Sequence, residues 1–452
     1  MKLNRLLLEN YRCFDHLELP LHPQMTVLVA ENGQGKSTLL DALRVALWPY
    51  VHCFDLASSG FADPANGIGV DDVRLVKNAA GDMARQLPCK VSLSGDYGNG
   101  LGTWTRFRES EKKGTKTKGD EYIKHMEFFG SGLQASVRDG AANINLPMLG
   151  YYGTGRLWSH KKLTIEKAPK KNNDTYMRLF AYRDCLDPAS SYKHFAEWFT
   201  WIFESYREGQ IKQIENNLPA DVVSGLSIKV IQQATDCFLK TITGWHGLEY
   251  SVTNEKSLIL KHEQYGTMKV ELLSDGIRNM LAMVGDIAYR CIKLNPHFGI
   301  EAAKKTTGVV LIDEVDMHLH PRWQQLVLSQ LSEAFPSIQF VVTTHSPQVL
   351  SSVSSDCIRI LSDNKLYAAP PGTEGAEASR LLKRILGVDV RPPESKATIE
   401  LNEYLTLVGK DQWNSPRAME LRCLLDARYQ GEEPALLNAD LLIENRKWEL
   451  GQ

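Results

Sequence analysis

MTVLVAENGQGKSTLLDALRVAL, residues 25–47, decides the fold. Its first six residues are an apolar run of strand character, its middle is a Gly-rich turn, and from Ser37 onward the apolar positions recur at helical spacing. Residues 30–37, AENGQGKS, follow the spacing G-x-x-x-x-G-K-[ST], except that Ala30 stands at the first glycine position. Gly33 and Gly35 let the backbone wrap closely, the amides that open the helix face a phosphate, and the helix dipole favours its charge. In such a loop Lys36 reaches the β and γ phosphates of a nucleotide, Ser37 offers a hydroxyl to Mg²⁺, and Thr38 a second hydroxyl toward the α-phosphate. Asn32 and Gln34 complete the cradle. Ala30 demands a backbone conformation open to a Cβ. A chance Gly-rich turn is the bland alternative, and the flanking strand and helix weigh against it.

Residues 2–8 read as a further strand, and the same logic returns at 305–345, where GVVLIDE is a buried strand, PRWQQLVLSQLSEAF an amphipathic helix and IQFVVTTHS another buried strand. Both ends therefore belong to one α/β sheet. About 270 residues separate the first loop from the second strand, more than a crossover needs. Within that insertion 87–108 alternates like a β-meander, 110–125 reads as a charged, mobile loop, and 190–216 and 219–242 read as helices. The stripe Phe195, Trp198, Phe199, Ile202 and Phe203 fits a core or helix-pairing face better than a base-stacking platform. After IRIL the sheet ends, PPGTEG at 370–375 is a linker, and a helical tail begins near 376.

The bulk numbers bound the class. The chain has 452 residues, 43% hydrophobic and 23% charged, the balance of an ordinary folded, soluble protein of two or three domains' length. Lys plus Arg number 52 against 54 Asp plus Glu, so no global basic field demands nucleic acid. Eight scattered cysteines show no zinc spacing and fit reduced thiols in a cytosol. The N-terminal apolar stretch is too short for a signal peptide, and nothing approaches a membrane span, so a cytoplasmic location without a membrane is expected.

Three further motifs carry chemistry. VVLIDEVD, 309–316, ends an apolar strand in adjacent carboxylates, where α/β sheets place their ligands; it resembles a Walker B strand. Asp313 would orient the Mg²⁺ shell and Glu314 hold the attacking water as general base. An acidic turn after a core strand is the bland alternative. In ELLSDGIRNMLAMVGDIA, 271–288, the residues Leu273, Ser274, Asp275, Gly276 and Arg278 resemble the ABC signature at a helix N-terminus. Taken alone, SDG is an ordinary helix cap. VVTTHSPQVL, 341–350, puts His345 just past a buried strand, like the switch histidine of ABC ATPases. Order decides the case: phosphate loop, signature, Walker B roughly 37 residues on, histidine roughly 30 beyond that.

The chain is thus identified by resemblance as an ABC-type P-loop ATPase head, an α/β fold with a β-rich lobe, a helical insertion and a helical C-terminal tail. The expected division is 1–150, 151–265 (helical and basic insertion), 266–370 and 376–452. The resemblance implies ATP and Mg²⁺ as cofactors. It also implies a homodimer whose ATP sites are completed head to tail, with Ser274, Asp275 and Gly276 reaching the γ-phosphate held by the opposite subunit, and assembly beyond the dimer left open. Arg12, in NYRCF, matches an arginine that approaches the nucleotide in RecF-like and SMC-like ATPases; a surface arginine is the alternative. No glutamine loop stands out, and Arg156 in LGYYGTGRLW occupies its place.

DEVDMHLHP, 313–321, resembles the version of these motifs found in OLD-like and defence ATPases, which makes His318 and His320 interface or turn residues rather than metal ligands. No Toprim segment follows. The tail, with LLKRILGVDVRPPESKATIELNEYL, looks like that of the PtuA-type ATPases of Septu systems and related retron cassettes. That family assembles with a PtuB-like HNH nuclease, for which the tail is a docking candidate, and in retron cassettes with a reverse transcriptase and its msDNA. The ATPase is not itself the nuclease, and no nuclease constellation is legible here. Two basic stretches could meet nucleic acid: 106–125, seven Lys or Arg against four acids, and 156–183, eight against two with Tyr176, Phe180 and Tyr182 interleaved. Solvated loops are their plainer reading. The alternative function is a RecF-like or SMC-like DNA repair clamp without a nuclease; a third is an effector with a catalytic tail, for which no catalytic cluster exists.

Overall fold

The computed structural model describes residues 1–58, 63–156, 177–188, 191–216 and 222–449. Met25–Val29 is buried at every position because it has parallel neighbours on both sides. Ile338–Thr344 pairs with it with Phe340 opposite Met25, and Ile358–Ser362 with Ile358 opposite Val27. Gly308–Ile312 continues the parallel sheet beside Ile338–Thr344, and Met148–Tyr152 forms the edge beyond it. Lys365–Ala368 closes the other edge antiparallel. Val27–Val29, Val309–Ile312 and Phe340–Val342 are fully buried, as continuous apolar runs must be when both sheet faces are covered. The parallel order brings the C-terminal ends of strands 25–29, 308–312 and 338–344 to one rim, where the candidate site lies.

A second, antiparallel sheet joins Lys2–Tyr11 to Phe14–Pro20 and to Cys89–Asp96, which continues into Leu101–Arg108. This is where the alternation at 87–108 placed a meander. The charged loop expected at 110–125 ends sooner: the Asp120 side chain accepts the Ile123 N–H at 3.2 Å and caps a helix, Glu121–Arg138. The helix expected at 321–335 divides into Pro321–Gln324 and Val327–Ala334.

Ser191–Asn216 and Val222–Thr243 are the two helices of the insertion, followed by a three-stranded antiparallel sheet over His246–Ser251, Ser257–His262 and Gly266–Lys269. The aromatic stripe is core: Phe195 and Phe199 are fully buried, and the Trp198 ring lies 4.7 Å from that of Tyr289 on the helix Asp275–Leu294.

By contacts the chain forms two compact units, Met1–Leu381 and Leu382–Gln452. In the second, helices Lys396–Gly409, Pro416–Tyr429 and Pro434–Glu449 bury Leu401, Leu421, Leu425 and Leu436 together. Among the described residues no helix is long and apolar enough to cross a membrane. The eight cysteines are free thiols.

Candidate nucleotide site

Gly35 caps the helix Lys36–His52 with φ 97°, and Gly33 has φ 81°, both in the left-handed region that glycine adopts without strain. At Gly35 a Cβ would also stand 2.8 Å from Phe14 Cζ, so the wrap needs glycine on steric grounds as well. Ala30 lies outside the left-handed region, and its methyl is therefore tolerated where the motif usually has glycine. Lys36 is buried and folds back over the loop, its Nζ donating to the carbonyls of Ala30 at 2.9 Å and Glu31 at 3.1 Å. Burial lowers the pKa of this ammonium, while Asp313, Glu314 and Asp316 act to raise it. A half-desolvated cation held by neutral carbonyls beside a helix N-terminus is built to receive an anion. Asn32 is exposed on the loop and Ser37 on the first helical turn, Thr38 is half-buried, and the Gln34 side chain accepts the Asp363 N–H at 3.1 Å.

Asp313 follows the buried strand Gly308–Ile312, and both its oxygens are engaged. Ser37 Oγ donates to Oδ2 at 2.8 Å and Thr343 Oγ1 to Oδ1 at 2.6 Å, while the Asp313 N–H donates to the Tyr152 carbonyl at 2.8 Å. Hydroxyl and carboxylate are hard oxygen donors of the kind Mg²⁺ takes when substrate phosphates supply the rest, so the set fits that ion. Glu314, next in sequence, has φ 48° and is half-buried. His345 stands close enough for its ring to sense Lys36, Asp316, Glu314 and Asp313; burial, then Lys36, lowers its pKa.

Known proteins of similar sequence include named ATPases. A family model described as an AAA domain matches residues 5–221, and a second, described as an AAA domain, putative AbiEii toxin, type IV toxin–antitoxin system, matches residues 160–351. The retron Ec83 probable ATPase of Escherichia coli is 27% identical over 98% of this chain and 86% of its own length. The retron Vc95 probable ATPase of Vibrio cholerae is 23% identical over 93% of this chain and 86% of its own. The Septu protein PtuA of Bacillus mycoides is 40% identical over 35% of this chain and 22% of its own. The chain is thus similar over nearly its whole length to retron ATPases and over about a third of it to a Septu PtuA protein.

The sequence-predicted residues divide into two sets. Lys36, Ser37, Asp313, Glu314 and His345 are brought within electrostatic or hydrogen-bonding reach of one another. Ser274 and Asp275 instead lie exposed at the N-terminus of the helix Asp275–Leu294, where Ser274 makes no side-chain cap and Asp275 pairs with Arg278. Gly276 is buried, because its Cα faces the His318 carbonyl.

Arg12 points at acids: its guanidinium donates to Asp72 and Asp41, each at 2.7 Å, and the Tyr151 hydroxyl reaches the other oxygen of Asp41 at 3.2 Å. Since Asp41 sits on the phosphate-loop helix, Arg12 braces that helix. Arg156 ends a short turn, Thr154–Arg156, just after the edge strand. His320 caps the helix after it, its Nδ1 accepting the Arg322 N–H at 3.3 Å, and exposed His318 has φ 61°, so both are turn residues.

Part of the basic stretches is structural. Arg106 and Arg108 donate to backbone carbonyls, among them Val45 at 2.7 Å and Thr115 at 2.7 Å, while Lys112, Lys113 and Lys116 are exposed. In the second stretch Phe180 and Tyr182 are core and Arg178 donates to the Leu294 carbonyl; residues 157–176, with Tyr176, lie outside the described residues. Sequence reasoning passed over Thr343, Asp41 and Asp72. Thr343 lay inside a motif already quoted, whereas nothing in the sequence marks Asp72 as the partner of Arg12.

Proposed function

We propose that this ATPase binds ATP with Mg²⁺ and hydrolyses it to ADP and phosphate, and that its nucleotide state controls an associated HNH-type nuclease in cytoplasmic anti-phage defence. The observation that carries the hydrolysis reading is the 2.8 Å bond from Ser37 to Asp313 with Glu314 beside it, next to the buried Lys36. In this reading the loop amides and Lys36 bind the phosphates, Ser37 and Asp313 hold the ion, and Glu314 takes a proton from the attacking water. Bound Mg²⁺ supplies Lewis-acid stabilisation of the charge that develops on the phosphate oxygens. His345 faces the γ-phosphate.

Ser274 and Asp275, exposed at a helix N-terminus, support a head-to-tail homodimer in which each signature completes the other subunit's site. The retron relatives support a reverse transcriptase and its msDNA as further partners, and the exposed lysines at 112, 113 and 116 are available to a phosphate backbone. The ATPase is not itself the nuclease.

Steady-state ATPase assays and light scattering test the reading. Lys36→Ala should lose nucleotide binding, and Glu314→Ala should bind ATP, fail to turn it over and accumulate as an ATP-dependent dimer. Undiminished turnover by Glu314→Ala would overturn the assignment. Nuclease control requires that co-expressed HNH nuclease co-purify and respond to nucleotide. Salt-dependent, ATP-stimulated DNA binding by the ATPase alone, with no such partner, would point to a repair clamp instead.

A further inference from the structure

Thr343 is fully buried one position before the end of the strand Ile338–Thr344, and its hydroxyl serves both adjacent acids. It donates to Asp313 Oδ1 at 2.6 Å and accepts the Glu314 N–H at 2.7 Å, while the Val315 N–H donates to the Thr343 carbonyl at 3.0 Å. Glu314 has φ 48°, a left-handed conformation that a residue with a Cβ keeps only where its surroundings over-determine it. Here the amides on both sides of the Glu314 Cα are tied to Thr343, one by its side chain and one by its main chain. The hydroxyl also settles which way the Asp313 carboxylate turns, since Oδ1 is taken by Thr343 and Oδ2 is left to face Ser37.

We propose that Thr343 is a positioning residue for ATP hydrolysis: one buried hydroxyl aims the metal-side carboxylate of Asp313 and the left-handed main chain of the general base Glu314 together. The inference rests on the hydrolysis reading above. Its neighbours extend the same device around the switch histidine. Thr344 Oγ1 donates to Asp316 Oδ1 at 2.5 Å, and Ser346 Oγ donates to Gln324 Oε1 at 2.7 Å. The Thr344 hydroxyl therefore joins the turn of His345 to the acidic turn directly, and Ser346 reaches it through Gln324, whose Nε2 donates to the Asp316 carbonyl at 3.4 Å. Valine has the shape of threonine without the donor and acceptor, so it would leave Asp313 Oδ1 and the Glu314 N–H without this buried partner. Serine keeps both.

The test compares wild type, Thr343→Val, Thr343→Ser and Glu314→Gln for kcat, KM and nucleotide affinity with a fluorescent ATP analogue. Thr343→Val should lower kcat about 10–100-fold, the range for losing a group that orients a metal ligand, with nucleotide affinity little changed. Thr343→Ser should recover most of the rate. If Thr343→Val does not fold, Thr343→Ala, which adds no bulk, takes its place. Wild-type kcat in the variant without the hydroxyl overturns the inference, and so does an equal loss in the Ser and Val variants, which would implicate shape. A wild type no faster than Glu314→Gln overturns the hydrolysis reading itself, whereas a fast wild type matched by Thr343→Val overturns this inference alone.

Discussion

Ser37 Oγ donates to Asp313 Oδ2 at 2.8 Å, joining residues 276 positions apart. The two meet because strands 25–29 and 308–312 run parallel, with only 338–344 between them, and both end at the same rim. If this pair holds the magnesium, Ser37→Ala should leave nucleotide binding without the ion unchanged and remove most of the gain that magnesium brings. A loss of about tenfold or more, ~1.4 kcal/mol per decade, is expected by calorimetry with and without Mg²⁺. An identical magnesium gain in wild type and variant would count against the pair as the ion's holder.

His345 makes stability depend on pH in a stated direction. Burial, and then Lys36, lowers its pKa from the ordinary 6.5, while Asp316, Glu314 and Asp313 act to raise it. Above pH 6.5 the ring is neutral folded and unfolded alike. As pH falls the unfolded chain takes the proton first, so stability drops between 6.5 and the lower folded value. His345→Gln should therefore lose less thermal stability than wild type between about pH 7 and about pH 5.5. Parallel melting curves across that range would refute it.

Much of this was legible because the strongest signals are local. The phosphate loop needs a strand, two left-handed glycines and a helix in immediate succession, and a one-dimensional pattern can show all of them. The stripe from Phe195 to Phe203 likewise reports its own burial through its period. The helix Glu121–Arg138 was partly hidden by Gly130 and Gly132, which depress helical character. Gly130 is there for a tertiary reason: a Cβ would come within 2.7 Å of Cys53 Cβ, and no local pattern reveals that approach. Arg12 shows the same limit, since its motif predicted an approach to nucleotide and gave no sign of Asp72, sixty positions away. Thr343 is one more strand residue in the sequence pattern, because its hydroxyl comes to Asp313 through the register beside Gly308–Ile312.

Asp286 and Arg290 form an ion pair on the helix Asp275–Leu294, with Nε to Oδ2 at 2.7 Å and both side chains buried. The Tyr152 hydroxyl donates to the same oxygen at 2.8 Å, and the Tyr152 carbonyl accepts the Asp313 N–H. Asp286→Asn leaves the guanidinium without its charge partner and should destabilise the fold by ~3–5 kcal/mol in urea titrations. Replacing the pair with Leu and Met should recover most of that loss, because two desolvated charges then disappear together. A single variant as stable as wild type would show the pair to be dispensable.

Gly276 separates packing from chemistry. A Cβ there would lie 2.6 Å from the His318 carbonyl oxygen and 3.4 Å from Trp323 Cζ3. The carbonyl belongs to a left-handed residue in a segment seated by buried Leu319, so it cannot swing aside as the tip of a long side chain could. The void beside it, about 10 Å³ between Ile242, Met280, Leu319 and Trp323, is too small to absorb a shift of the helix. Gly276→Ala should therefore cost ~1–3 kcal/mol of stability through overpacking. Because the shift also displaces Ser274, turnover should fall too. Ser274→Ala is the complementary probe: Ser274 is exposed and without a side-chain cap and contributes little to folding, yet the proposed head-to-tail dimer assigns it to the partner's γ-phosphate. It should melt like wild type, lose turnover, and weaken the ATP-dependent dimer formed in the Glu314→Ala background. A Ser274→Ala chain that dimerises and hydrolyses normally would mean that the signature helix packs the head without completing a second site.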